Sequence, residues 1–260
     1  MKSIVVPVDF TEGSGNAARY AADMAASINA ELHLVHVLEI PAGSGVTPLP
    51  DSVLDELRDR GLNSLRLLAD ELSKRTNGKV SVATDQETGQ PESRFEDFCQ
   101  WKKPLLVVRG PSHTGRFPAN QLPFPLLVVP ALTRYHPVHR ILLTFDREDV
   151  NPGMHVPVKY LQLLGDLFQA RFDILHVATR EEKISTLVFD DWKKGLDQQV
   201  SGLHIIQADS VDQGIRDYLC FHAADWLVVF PKKNGLFHLH SSLSQKIVLH
   251  CPVPVMNLHK

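Results

Sequence analysis

Ser3-Ile4-Val5-Val6-Pro7-Val8-Asp9-Phe10 is a short β-branched apolar run that ends in an acid, and Thr11-Glu12-Gly13-Ser14-Gly15 follows it. A continuous apolar run of this length reads as a strand buried on both faces, as in parallel sheets. The polar, turn-rich pentapeptide offers Thr11 or Ser14 as a helix cap. Asn16 to Ala30 is Ala-rich, with Ala18, Ala21, Ala22, Met24, Ala25 and Ile28 at helical spacing. Glu31-Leu32-His33-Leu34-Val35-His36-Val37-Leu38 is then a second strand. Strand, helix, strand in this order is one βαβ unit with an expected right-handed crossover.

Working outward, Pro41–Pro50 is a Gly- and Pro-rich loop, and Asp51–Arg75 is a long amphipathic helix. Its apolar stripe is Val53, Leu54, Leu57, Leu62, Leu65, Leu67, Leu68 and Leu72. Asn77-Gly78 ends it. Lys79–Thr84 is predicted as a third strand, Pro91–Lys102 as a helix, Leu105–Val108 and Pro125–Val129 as further strands.

The second half replays this order. Arg140-Ile141-Leu142-Leu143-Thr144-Phe145-Asp146 matches the first strand and its terminal acid. Val156–Ala170 matches the first helix, and Phe172–Val177 the second strand, down to the shared His-Val pair (His36-Val37, His176-Val177). Helices near Glu181–Gln198 and Val211–Ala224 and a strand at His204–Gln207 follow. Trp226–Phe230 then echoes Leu105–Arg109, and Cys251–Val255 echoes Phe124–Val128. Self-similarity at this period means duplicated domains. The expected division is 1–133 and 138–260, with Tyr135-His136-Pro137 as a short tether.

Composition sets the outer bounds. The chain has 260 residues, 43% hydrophobic and 22% charged, which excludes a disordered or coiled-coil reading and lets each half bury a core. A net charge of −3 supplies no basic field for nucleic acid. No apolar run approaches the roughly 20 residues of a membrane span. The opening residues stay apolar only briefly before Asp9, unlike a signal peptide. Three scattered cysteines, Cys99, Cys220 and Cys251, make neither a disulfide framework nor a CxxC site. A cytoplasmic protein with no nucleic-acid or membrane partner is expected.

The run Ile4 to Glu12, the Ala-rich helix, Leu34-Val35-His36-Val37, Asp225–Val229 and Cys251–Val255 together resemble the universal stress protein family in its tandem form. The resemblance implies an α/β fold of two open-sheet domains (adenine nucleotide alpha hydrolase-like, Rossmann-type). Each would be a five-stranded, mainly parallel sheet with helices on both faces. It also implies pairing of domains through their last strands, here an intramolecular pseudo-dimer, with a homodimer as a further assembly. In ATP-binding members the acid after strand one and the Val of the His-Val pair meet the nucleoside. Those positions are Asp9 and Val37 here, with Asp146 and Val177 as weaker second-domain equivalents. Independently of any family, ligands of open α/β sheets lie at the carboxyl ends of the strands, where strand order reverses. Asp9 and Asp146 are equally suited to stabilising the start of the next helix.

The family's phosphate loop is Gly-x2-Gly-x9-Gly-Ser/Thr. This chain has Gly110-Pro111-Ser112-His113-Thr114-Gly115-Arg116, a Gly-x4-Gly. Gly110, Ser112, Thr114, Gly115 and Arg116 are the phosphate-contact candidates. In the second half Phe230 stands in place of the first family glycine, and Ser241-Ser242 in place of Gly-Ser/Thr. Both loops are therefore degenerate. No Walker loop, GxGxxG, HExxH or nucleophile elbow occurs, so no catalytic residue is assigned. His238-Leu239-His240 and His250-Cys251 have no recurring zinc spacing, and no metal is assigned. The expectation is a non-enzymatic binding or regulatory module of the stress response, with an unnamed protein partner. The competing reading is an ATP-binding, slowly hydrolysing switch, ATP being the cofactor in question.

Overall fold

The computed structural model describes residues 2–39, 50–111, 124–144, 157–179, 195–196, 199–230 and 251–258. The chain divides into two compact units, Met1–His136 and Pro137–Lys260.

The first unit runs β1 (Ser3–Pro7), α1 (Glu12–Ile28), β2 (Glu31–Glu39), α2 (Asp51–Arg75), β3 (Val82–Gly89), α3 (Pro91–Lys102), β4 (Leu106–Arg109) and β5 (Leu126–Val128). Its strands lie in the order β3-β2-β1-β4-β5, every pair parallel. Successive strand residues point to opposite faces, and Ile4, Val5 and Val6 are all fully buried. Both faces of β1 are thus covered, which is why its sequence is apolar without alternation. The order reverses between β1 and β4, so a crevice opens beyond their carboxyl ends.

The second unit runs β6 (Arg140–Thr144), α4 (Val158–Phe168), β7 (Arg171–Ala178), β8 (Val200–Gln207), α5 (Val211–Phe221), β9 (Trp226–Val229) and β10 (Val255–Asn257). Among these strands the order β8-β7-β6-β9-β10, again parallel, repeats that of the first unit. At its start, Asp225 accepts bonds from the amides of His139 (2.6 Å) and Arg140 (2.8 Å), tying the entering chain to the foot of β9.

The structure departs from the sequence reading in several places, among them β8, which begins at Val200 rather than His204, and β10, which starts only at Val255. β1 stops at Pro7 rather than Phe10, because Asp9 and Thr11 turn the chain into α1. That helix begins at Glu12, not Asn16: Thr11 caps it by accepting from the Ser14 amide, and the helix tolerates both Gly13 and Gly15. β3 lies at Val82–Gly89, later than Lys79–Thr84, since Asn77 and Gly78 both take positive φ and three more residues bring the chain alongside β2. Along α2 the inward seam is Leu54, Leu57, Gly61, Leu65, Leu68 and Leu72, and Leu67 is 71% exposed. The outer side of α2 is tied to α1 by Arg19–Glu71 (2.6 Å) and Arg75–Asp23 (2.7 Å), exposed pairs worth about 0–1 kcal/mol each. The helix expected at Glu181–Gln198 falls almost wholly outside the described residues.

Three helices end on a non-glycine residue in the left-handed region: Asn29 after α1, Lys103 after α3 and Gln169 after α4, at φ 52°, 51° and 51°. Each sends its amide to a carbonyl of the last turn, to Ala25, Cys99 and Gly165 respectively. Among the described residues no helix is long and apolar enough to cross a membrane.

Candidate functional site

A cleft of about 520 Å³ opens at the carboxyl ends of β1, β2 and β4 in the first unit. Its wall is built from Pro7 to Asp9, Thr11 and Ser14 on one side, Val35 to Glu39 along β2, Pro91 at the start of α3, and Arg109 to Pro111 after β4. Asp9, Val37 and Gly110, three of the candidate residues, therefore share one cavity.

Asp9 shapes the lip. Its Oδ1 accepts from the Thr11 hydroxyl (2.6 Å) and the Thr11 amide (3.1 Å), an Asx-type turn. Burial alone would raise its pKa. The hydrogen bonds from the Thr11 and Ser14 side chains and the Thr11 amide outweigh that and hold the carboxyl below its usual range. The turn forces Phe10 to φ 60°, a conformation that costs a side-chain-bearing residue about 1–2 kcal/mol. In that conformation its ring meets the His36 ring at a centroid distance of 4.6 Å. His36 Nδ1 lies 2.8 Å from the Val8 carbonyl, which can only accept, so Nδ1 carries the proton in this contact.

Gly110 has a packing reason to be glycine. A Cβ there would sit 2.5 Å from the Gly13 carbonyl oxygen, so the chain leaving β4 lies directly on the first turn of α1. Just before it stands Arg109, which the sequence reading did not single out. It is 8% exposed, lines the cleft, and its Nε and Nη1 have no hydrogen-bond partner among the described residues. Burial pushes its pKa down to about 10, still charged at neutral pH. The signal for it was faint: one basic residue closing an apolar run.

Of the remaining candidates, only Val177 is among the described residues. Ser112, Thr114, Gly115 and Arg116 lie outside the described residues, as do Asp146, Ser241 and Ser242. Val177 is buried, and a Cβ on Gly214 would come within 2.5 Å of its Cγ1, so α5 sits on it tightly. Among the described residues no group of three or more His, Cys, Asp or Glu could hold a metal; His238, His240 and His250 lie outside them. Cys99 and Cys251 are buried and their thiols raised by that burial, to about 12 and about 11.

Comparison with known proteins agrees with the fold. The model of the universal stress protein family matches residues 1–122. A curated universal stress protein of Methanocaldococcus jannaschii is 28% identical over 115 residues, 42% of this chain. The match spans 64% of that relative's own length. A universal stress protein structure from Archaeoglobus fulgidus covers 99% of this chain and 96% of its own, with a TM-score of 0.72 at 15% identity. One described as a putative universal stress protein, from Pseudomonas aeruginosa, covers 100% of this chain and 93% of its own, at TM-score 0.55 and 16% identity. These two likenesses show that the fold extends over both units. Over residues 1–122, a little under half of the chain, the sequence is thus similar to the universal stress protein family.

Proposed function

We propose that the chain is a binding and regulatory module of the stress response, without catalytic chemistry, and that its ligand is a nucleoside-class small molecule held in the first unit's cleft. The supporting observation is that Asp9, the backbone of Val37 and Gly110 line one cavity at the point where strand order reverses. A carboxylate at the lip accepts hydrogen bonds from vicinal hydroxyls, and the exposed peptide edge of β2 offers donors and acceptors to a base. The ring of His36, which lines the cleft and meets Phe10 at an interplanar angle of 45°, adds aromatic surface there. On this reading the two halves, 1–133 and 138–260, are a duplicated domain of which the first carries the ligand.

The test is adenine nucleotide released from freshly purified, denatured protein, read at 260 nm, together with calorimetry of adenosine and ATP. Adenosine binding that weakens at least tenfold in Asp9→Ala supports the reading. No co-purified nucleotide and no heat from either probe at millimolar concentration overturns it. The ATP-switch reading has its own support in the close approach of Gly110 to the N-terminus of α1, where backbone amides and the helix dipole favour anions. ATP binding much tighter than adenosine, with slow release of phosphate, is what it requires.

A further inference from the structure

Among the described residues, Arg109 is a charged side chain without a counter-ion. It closes β4, is more than nine-tenths buried, and faces the cleft. Among the described residues its Nε and Nη1 find no hydrogen-bond partner, and no carboxylate forms an ion pair with it. Asp9 does not serve: it forms no ion pair with Arg109, and its Oδ1 is taken by Thr11. Burying a charge is strongly unfavourable unless it is paired and hydrogen-bonded. An arginine also has no escape by losing its proton at neutral pH. The planar fork of donors fits the two oxygens of a carboxylate or a phosphate, in a bidentate contact that a point charge does not reproduce. The first turn of the 17-residue α1 contributes Thr11 and Ser14 to the same cavity, adding positive potential to it.

We propose that Arg109 is the anion-recognising residue of this cleft, and that the ligand of the first unit carries a carboxylate or phosphate whose oxygens meet the Arg109 guanidinium. This rests on the reading that a ligand occupies the cleft, and adds its charge class. The uncharged part of the ligand meets Asp9 and β2 at the lip, and the oxyanion goes to the buried end.

The test uses the full chain at low ionic strength, as wild type and as Arg109→Met, with thermal unfolding as the readout. Sodium phosphate and sodium acetate are each compared with sodium chloride of equal ionic strength. In the wild type one oxyanion raises Tm beyond chloride by about 2–4 °C at some tens of millimolar. Phosphate alone doing so identifies a phosphoryl ligand, and acetate alone a carboxylate. In Arg109→Met the excess disappears, and the variant unfolds at a higher temperature than wild type in chloride because the unpaired charge is gone. Should Arg109→Met not fold, Arg109→Lys keeps the charge without the fork and at least halves the excess. No oxyanion effect beyond chloride in the wild type, or an undiminished effect in the variants, overturns the proposal. Adenosine calorimetry on the same two proteins reads the nucleoside question separately. In the wild type, absence of adenosine heat beside an intact oxyanion effect overturns the nucleoside reading alone.

Discussion

At Asp9 a carboxylate serves the turn and the cleft together, and the two roles separate by measurement. Replacing it with Ala removes the acceptor for two Thr11 donors and costs about 1–2 kcal/mol in urea unfolding at pH 7. Its carboxyl is held below the unfolded value, so the stability it adds is present above about pH 3.9 and lost as pH falls through the lower folded value. The gap between wild type and Asp9→Ala therefore narrows in acid; a gap that stays constant from pH 7 to pH 2.5 would show the bonds to be immaterial. Asp9, Val37 and Gly110 were legible because an acid after an apolar run, a His-Val pair and a glycine after strand four are position-specific signs. Arg109 was not, because one basic residue at the end of an apolar run reads as exposed. Residues distant in sequence, Pro91 at the start of α3 and Thr11 and Ser14 at the start of α1, line the same cleft.

Among the elements, α2 shows what periodicity can and cannot decide. Its bounds, Asp51–Arg75, are those read from the sequence, since the loop before it and Asn77-Gly78 after it are strong signals. Its inward face was misread at Leu67, because leucines on adjacent flanks of a helix look alike until a sheet chooses between them. Gly61 belongs to the true seam, where its missing side chain makes room for Gln86 of β3. Leu65→Ala is expected to cost about 2–5 kcal/mol, and Leu67→Ala less than about 0.5 kcal/mol. Equal losses by chemical denaturation would overturn the assigned seam. β3 was misplaced for a related reason: Thr84-Asp85-Gln86-Glu87 is polar, and only pairing with β2 along its length makes it a strand.

For the molecule as a whole, the duplication was readable because both halves repeat one order of strands and helices, and the strand order of the first unit recurs in the second. What the repeat did not reveal is that chemistry can be unequal between like folds. Val37 lines a cavity, whereas Val177 lies under α5 against Gly214. The second unit has its own anchor in Asp225, whose carboxylate holds two successive amides. Asp225→Ala leaves those donors unpaired and is expected to destabilise this unit by about 2–3 kcal/mol, seen as earlier loss of the buried Trp226 fluorescence signal. An unchanged transition would show the anchor to be dispensable.

The left-handed caps at Lys103 and Gln169 have a practical consequence. Both side chains are exposed, and glycine adopts that backbone shape without the penalty they incur. Lys103→Gly and Gln169→Gly are each expected to gain about 0.5–1 kcal/mol, measured as a rise in Tm. The chain thus holds thermal headroom at residues that do not line its cleft. A doubly capped background would keep weakened cleft variants folded at the temperature of a titration, so that lost affinity and lost folding can be told apart.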